Sequence, residues 1–191
     1  MSEIIEGIWL RFGTEAAFNW LFNTYGRREE ALGGLHAAYM LKPAVRDLVH
    51  RVPSEYNALA SLVPMVCPEQ GEFIAYKKGW SSCAYFHDDY EELYPDAAII
   101  TLKIPADAKR SSGFGHKCRA SKAQVLQIEQ INQKGEFTNY LKHARSLLSS
   151  SFVYSVGETV EPLGEEFDED RFHECAPGIH FFMTKQEAID Y

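Results

Sequence analysis

Phe167–Tyr191 reads F-D-E-D-R-F-H-E-C-A-P-G-I-H-F-F-M-T-K-Q-E-A-I-D-Y, and its order of signals decides the fold of the C-terminal part. Pro177-Gly178 is a turn signal, and the apolar run Ile179–Met183 behind it predicts a buried strand. Thr184, with Glu187 three residues on, makes a capping box and starts a short closing helix. A strand entered through a turn and left through a capped helix is a rigid frame. Asp168, Arg171, His173, Glu174, Cys175 and His180 cluster around its entrance, where such a frame can hold them for binding or chemistry.

Working outward, the preceding segments read as sheet. Glu72–Tyr76 predicts a strand that delivers Lys77, Lys78, Gly79 and Trp80 at its exit. Ala97–Ile104, A-A-I-I-T-L-K-I, predicts a strand that stops at Pro105, and Phe152–Val156 another, with Gly157 as turn and Thr159–Pro162 as continuation. Cys118–Glu129 alternates and reads as one strand. Phe137–Leu148 carries Phe137, Tyr140, Leu141, Ala144 and Leu148 at helical spacing and predicts a helix. Lys109–Gly115 reads as irregular, and Ser81–Pro95 as an acidic, tyrosine-rich loop.

The first seventy residues differ. Thr14 is placed to cap a helix ending at Gly26; Arg28–Leu41 predicts a second, with Leu32, Leu35, Tyr39 and Met40 on one side. Pro43 suits the first turn of a third over Ala44–His50, and Ser54 begins a fourth with Tyr56, Leu59 and Leu62 inward. The expected architecture is α+β: a helical region over 1–70, then a mixed or antiparallel sheet domain with flanking helices over 71–191. The helices are a cap or an oligomerisation element through which homo-oligomers form.

At 191 residues with 46% hydrophobic and 24% charged residues, the composition is that of a globular protein. No apolar run reaches the ~20 residues of a membrane span. The N-terminus lacks the basic region of a signal peptide, so a cytoplasmic location and reduced thiols at Cys67, Cys83, Cys118 and Cys175 are expected. A net charge of −8 argues against general nucleic-acid binding, which draws on phosphate neutralisation by Lys and Arg.

That average hides a basic island. Lys103, Lys109, Arg110, Lys117, Arg119 and Lys122 are opposed only by Asp107. Glycines admit backbone N–H groups to an anion, hydroxyls donate, and guanidinium forks bind phosphate bidentately. The spacing is not that of a Walker loop. Lys109, Arg110, Ser111, Ser112, Lys117 and Arg119 are therefore candidates to grip phosphate. Arg171, His173 and His180 are candidates for further polar contacts, with Lys77 beside them and Tyr76 or Trp80 to stack a base. His116-x-Cys118 and His173-x-Cys175 have metal-ligand chemistry, but their spacing is unlike zinc knuckles, and no metal or cofactor is expected. Cys175 or Cys118 with His173 or His180, oriented by Glu174 or Asp168, would be a nucleophile and base; no family signature surrounds either cysteine.

Four ordered blocks, Ile104–Ser112, Lys117–Leu126, Phe152–Pro162 and Phe167–Phe182, resemble an uncharacterised domain family of bacteriophages and large DNA viruses. In that family the domain often stands beside pentapeptide repeats, which are missing here. The resemblance spans about Phe73–Tyr191 and implies a viral protein in an infected cell. A fainter similarity, to ADP-ribosyltransferases, lies in the strand ending at Lys77, the G-E-T-V turn, and G-I-H-F-F-M-T before K-Q-E-A. Phe182-Met183-Thr184 stands where those enzymes carry S-T-S, and the catalytic Glu position is unfilled. The resulting expectation is a phage accessory protein that captures a small phosphate-bearing ligand, a nucleotide or NAD-derived immune signal, against host defence. The alternatives are an NAD-using transferase, and a protein–protein inhibitor or structural module without a small ligand.

Overall fold

A computed structural model of the chain describes residues 2–81, 96–149, 151–162, 164 and 166–191. It forms two compact units, Met1–Pro64 and Met65–Tyr191. The loop expected over Ser81–Pro95 lies, beyond Ser81, outside the described residues.

The first unit consists of α1 (Ser2–Phe12), α2 (Thr14–Tyr25), α3 (Arg28–Leu41), α4 (Pro43–Arg51) and α5 (Pro53–Leu62). Pro43 and Pro53 open their helices, where a missing N–H costs nothing. Gly26 ends α2 in the left-handed region at φ 74°, its N–H on the Phe22 carbonyl. Thr14 is not the cap expected of it. Gly13 is the N-cap, and a further helix, α1, precedes it. Glu55 accepts from the Thr14 N–H at 2.7 Å, while the Thr14 hydroxyl is buried and accepts from Trp9 Nε1 at 2.8 Å. Leu35, Tyr39 and Leu59 are buried as expected, whereas Met40 faces solvent.

The second unit is built on antiparallel pairs. Its larger sheet runs β6 (Phe137–Tyr140), β5 (Ala123–Ile131), β2 (Ala97–Ile104), β1 (Phe73–Ser81), β7 (His143–Ser146), β8 (Val153–Ser155), with β9 (Thr159–Val160) also on β5. A smaller sheet orders β10 (Ile179–Phe181), β4 (Cys118–Ala120) and β3 (Arg110–Ser112). The two share one core, in which Ile100, Leu102 and Ile104 meet Cys118, Ile179 and Phe181. β2 is buried on both faces, because Ile99 on its reverse side packs with Phe182 and Ala188 beneath α6 (Lys185–Asp190). Near-continuous hydrophobicity is what such a doubly covered strand requires. The expected capping box at Thr184 and Glu187 is present.

Three expectations fail. The helix over Phe137–Leu148 is instead β6 and β7. Its apolar spacing was not a buried stripe: Phe137, Tyr140 and Leu148 face solvent and only Ala144 is fully buried. A tight turn at Asn132–Gly135 returns β6 along β5, so long-range pairing overrides local period. The strand over Cys118–Glu129 breaks at Ser121-Lys122 into β4 and β5, which belong to different sheets. Arg110–Ser112, expected to be irregular, is β3, with Ser111 and Ser112 buried.

Candidate functional site

β1 changes partners along one edge, and that change creates the site. Its first edge pairs with β2 over Phe73–Trp80. On the other, β7 covers only Gly79–Ser81, while Tyr76 exchanges backbone hydrogen bonds of 2.8 and 2.7 Å with Phe182, just past β10. Lys77 lies between these two attachments. It was expected just past a strand end; instead β1 runs on to Ser81 and holds it in mid-strand.

A cavity of about 420 Å³ opens there, lined among others by Lys77, Ser146, Phe152, Tyr154, Cys175 and His180. A second, of about 260 Å³, shares Lys77, Ser146, Cys175 and His180 and adds Lys117 and Tyr191. Such a size suits a small molecule. Gly178, at φ 155°, lets the chain turn over Arg119: a Cβ there would stand 3.2 Å from the Arg119 Cβ and 3.3 Å from the Phe167 ring.

The electrostatics are one-sided. Among the described lining residues of both cavities there is no acidic side chain. Lys77 Nζ donates to the His180 carbonyl at 3.2 Å and sits 5.7 Å above the Tyr154 ring. Burial, with repulsion from Lys117, pulls its ammonium down to about 8. His180 is pulled down to about 4 by burial, then by Lys77 and Lys117. It is thus neutral near pH 7, and since a carbonyl only accepts, its Nε2 donates to Glu174 O at 3.2 Å. Burial raises the Tyr154 hydroxyl above its ordinary value. Lys117 Nζ lies 3.6 Å from Cys175 Sγ, whose residue is exposed.

The other candidate residues lie elsewhere. Arg110 donates to the carbonyls of Pro105, Ala106, Ala108, Pro68 and Gly71, tying the segment before β1 to the loop before β3. Arg119 is 1% exposed and donates to Pro177 O at 3.0 Å, Asp170 O at 2.8 Å and Ser111 Oγ at 3.3 Å. Burial lowers its guanidinium from the ordinary value, opposed by Asp168 and Asp170. Ser112 accepts from the Val66 N–H, and Arg171 Nε donates to Ser112 O at 2.8 Å. Lys109 pairs with Glu169 in solvent. His173 Nδ1 is 3.0 Å from Asp168, a carboxyl that burial would raise but that hydrogen bonds from His173 and the Asp170 N–H hold below its usual range. Tyr76 packs with Phe182 beneath α6, and Trp80 is half-buried opposite Ala97 and Arg145.

Of the sequence candidates, Lys77, Lys117 and His180 meet at one site. Lys109 and Arg110 line a separate cavity of about 350 Å³ that also holds Glu69 and Glu169, which disfavours an anion there. Ser146, Phe152 and Tyr154 went unnoticed as site residues. The helical reading of Phe137–Leu148 hid Ser146, and a lone tyrosine inside a strand carries no signal. The two His-x-Cys pairs do not gather into a metal site among the described residues; His116 Nδ1 contacts Glu187 at 2.6 Å instead. The capping glutamate is in turn held below its ordinary range, against burial, by Thr184 and His116.

No helix among the described residues is long and apolar enough to cross a membrane. No curated protein and no solved structure is similar enough to the chain to match it. A family model does match, over residues 63–188, a span that contains Lys77, Lys117 and His180. The chain accordingly belongs to the family of unknown function DUF5758.

Proposed function

We propose that the C-terminal unit captures a small phosphate-bearing ligand in the cavity between β1, β7 and β10. One observation carries this reading: Lys77 and Lys117 line adjoining cavities that offer no carboxylate among their described lining residues, in a chain of net charge −8. Cations crowded without counterions raise one another's energy, and Lys77 is depressed for that reason as well as by burial. A phosphate dianion relieves both costs. Phe152 and Tyr154 supply an aromatic wall for an attached base or ring. Anion affinity falls as pH rises through about 8, because Lys77 then loses its charge.

The resemblance to domains of bacteriophages and large DNA viruses supports an anti-defence role in an infected cell, where a nucleotide or NAD-derived signal would be withdrawn by being held. Thermal denaturation with inorganic phosphate, cyclic nucleotides and NAD tests this, followed by heating to release the ligand. At a ligand concentration about 100-fold above Kd, the native unit gains roughly 2.7 kcal/mol. Intact ligand recovered after heating supports capture; nicotinamide or another cleaved product would instead favour the transferase alternative. No shift with any of them would defeat both.

A separate observation favours partner binding by the helical unit. Phe12 and Leu41 are 65% and 69% exposed, with Ile4, Leu10 and Phe22 also open to solvent. Light scattering across a concentration series reports whether these exposed side chains join copies of the chain.

A further inference from the structure

We infer that Lys77 is an imine-forming amine, and that the ligand of this cavity carries an aldehyde or ketone beside its phosphate. The inference rests on the anion reading above and adds the ligand's second functional group.

Lys77 differs from the ion-paired lysines of the same unit. Lys109 and Lys122 are ion-paired with Glu169 and Asp107 in solvent, and Lys185 with Glu129. Lys77 is half-buried, lines both cavities, and has for neighbours the His180 carbonyl and the face of Tyr154. The groups able to carry charge around it are Lys117, His180, Tyr154, Cys175 and Tyr191. Of these, Lys117 is the one charged near pH 7, and after burial it is what favours an uncharged amine at Lys77 over an ammonium. Strand pairing fixes its backbone on both edges of β1. At pH 7.5 roughly a quarter of Lys77 amines carry a free electron pair, against about one in a thousand for a lysine at 10.5.

The uncharged fraction is suited to attacking a carbonyl carbon, while the charged fraction still attracts the phosphate to the cavity. The two lysines divide the work: Lys117 holds the phosphate, and Lys77 takes the carbonyl. The nitrogen pair forms the C–N bond as the carbonyl π pair moves to oxygen. A proton passes from nitrogen to that oxygen, and loss of water leaves the imine. No oxidant or reductant is required. Neutral His180 has committed its Nε2–H to Glu174 O and adds no charge beside the amine.

Pyridoxal 5′-phosphate, which bears both groups, is a direct probe. The protein is incubated with it, reduced with borohydride, and the stable secondary amine is located by peptide mass mapping. Lys77 should carry the dominant adduct at a low ratio of aldehyde to protein, with labelling that rises with pH through about 8. Excess inorganic phosphate should suppress it. Lys117→Gln should slow labelling at Lys77, and Lys77→Arg should abolish that adduct while keeping the charge. Adducts spread evenly over Lys109, Lys122 and Lys185, or a preference for Lys117, would overturn the inference. This mapping on the unmodified sequence decides the matter even if Lys77→Arg fails to fold. Pyridoxine 5′-phosphate, which lacks the aldehyde, separates the two readings. If it raises the melting temperature while Lys77 resists labelling by the aldehyde, phosphate capture stands and the imine falls. If uncharged pyridoxal labels Lys77 as fast as its phosphate, and phosphate has no effect, the amine is reactive and phosphate capture falls.

Discussion

Lys117 and Arg119 stand two residues apart at the entrance to β4 and belong to the same basic island, yet they do different work. Arg119 is drawn into the interior, where its fork spans two backbone carbonyls and a serine hydroxyl and lies 5.0 Å from the Phe167 ring. Arg110, half-buried, likewise braces the chain, with carbonyls alone. Among the described residues Lys117 has one long contact, to a sulfur, and it faces a cavity. The difference follows from the two head groups. A planar guanidinium directs five N–H donors outward and is weakly hydrated, so it serves as a cross-brace for irregular backbone. A compact ammonium is costlier to dehydrate and stays where a ligand can reach it. Positive charge counted along a sequence is therefore not the charge offered to a ligand.

The sharpest way to break this comparison is Arg119→Ala. It strips donors from the buried carbonyls of Pro177 and Asp170, so the C-terminal unit should lose about 3 kcal/mol in urea denaturation. Unchanged stability with lost phosphate binding would return Arg119 to the ligand site.

Acid titration probes the cavity next. His180 binds its proton near 4 when folded and near 6.5 when unfolded, so the unfolded chain protonates first as pH falls. Stability from this residue is complete above 6.5 and drains away as pH drops through 4, by up to about 3 kcal/mol. His180→Gln keeps a donor for Glu174 O and should flatten that loss; an unchanged acid limb would mean the imidazole is not held neutral. Lys77 acts in the same direction at higher pH, penalising the fold below about 8 and releasing the penalty toward 10.5.

Thr184→Ala removes the capping box that starts α6 and should cost about 1 kcal/mol, read from the same denaturation curves. Lys117→Gln should alter stability least, by under about 0.5 kcal/mol, while removing the phosphate-induced rise in melting temperature. Equal stability losses for Lys117→Gln and Arg119→Ala would erase the distinction between them.

The contrast extends to what was legible in the chain. Where a local rule was self-sufficient, it held. Pro-Gly before an apolar run and a Thr-x-x-Glu box placed β10 and α6, because turn and cap chemistry act within a few residues. Ala97–Ile104 is strand β2, and its near-continuous apolar run reflects cover on both faces. Ile131–Phe137, I-N-Q-K-G-E-F, holds a turn that the helical spacing of the following segment obscured; the turn at Asn132–Gly135 governs there.

Sequence alone determined the α+β class, four of the five helices of the first unit with Pro43 opening one of them, and the presence of cationic chemistry in an acidic chain. Tertiary structure alone decided which cations meet. Lys77, Lys117 and His180 are separated by 40 and 63 residues along the chain, and β1, the loop before β4, and β10 bring them together. Their convergence depends on β1 exchanging β7 for the Phe182 bridge along one edge, a long-range pairing that no local pattern encodes. Arg119 is closed inside by β3, β10 and the Asp170 and Pro177 carbonyls while Lys117 stays at the cavity, because burial is set by the elements that come to lie on either side of a residue.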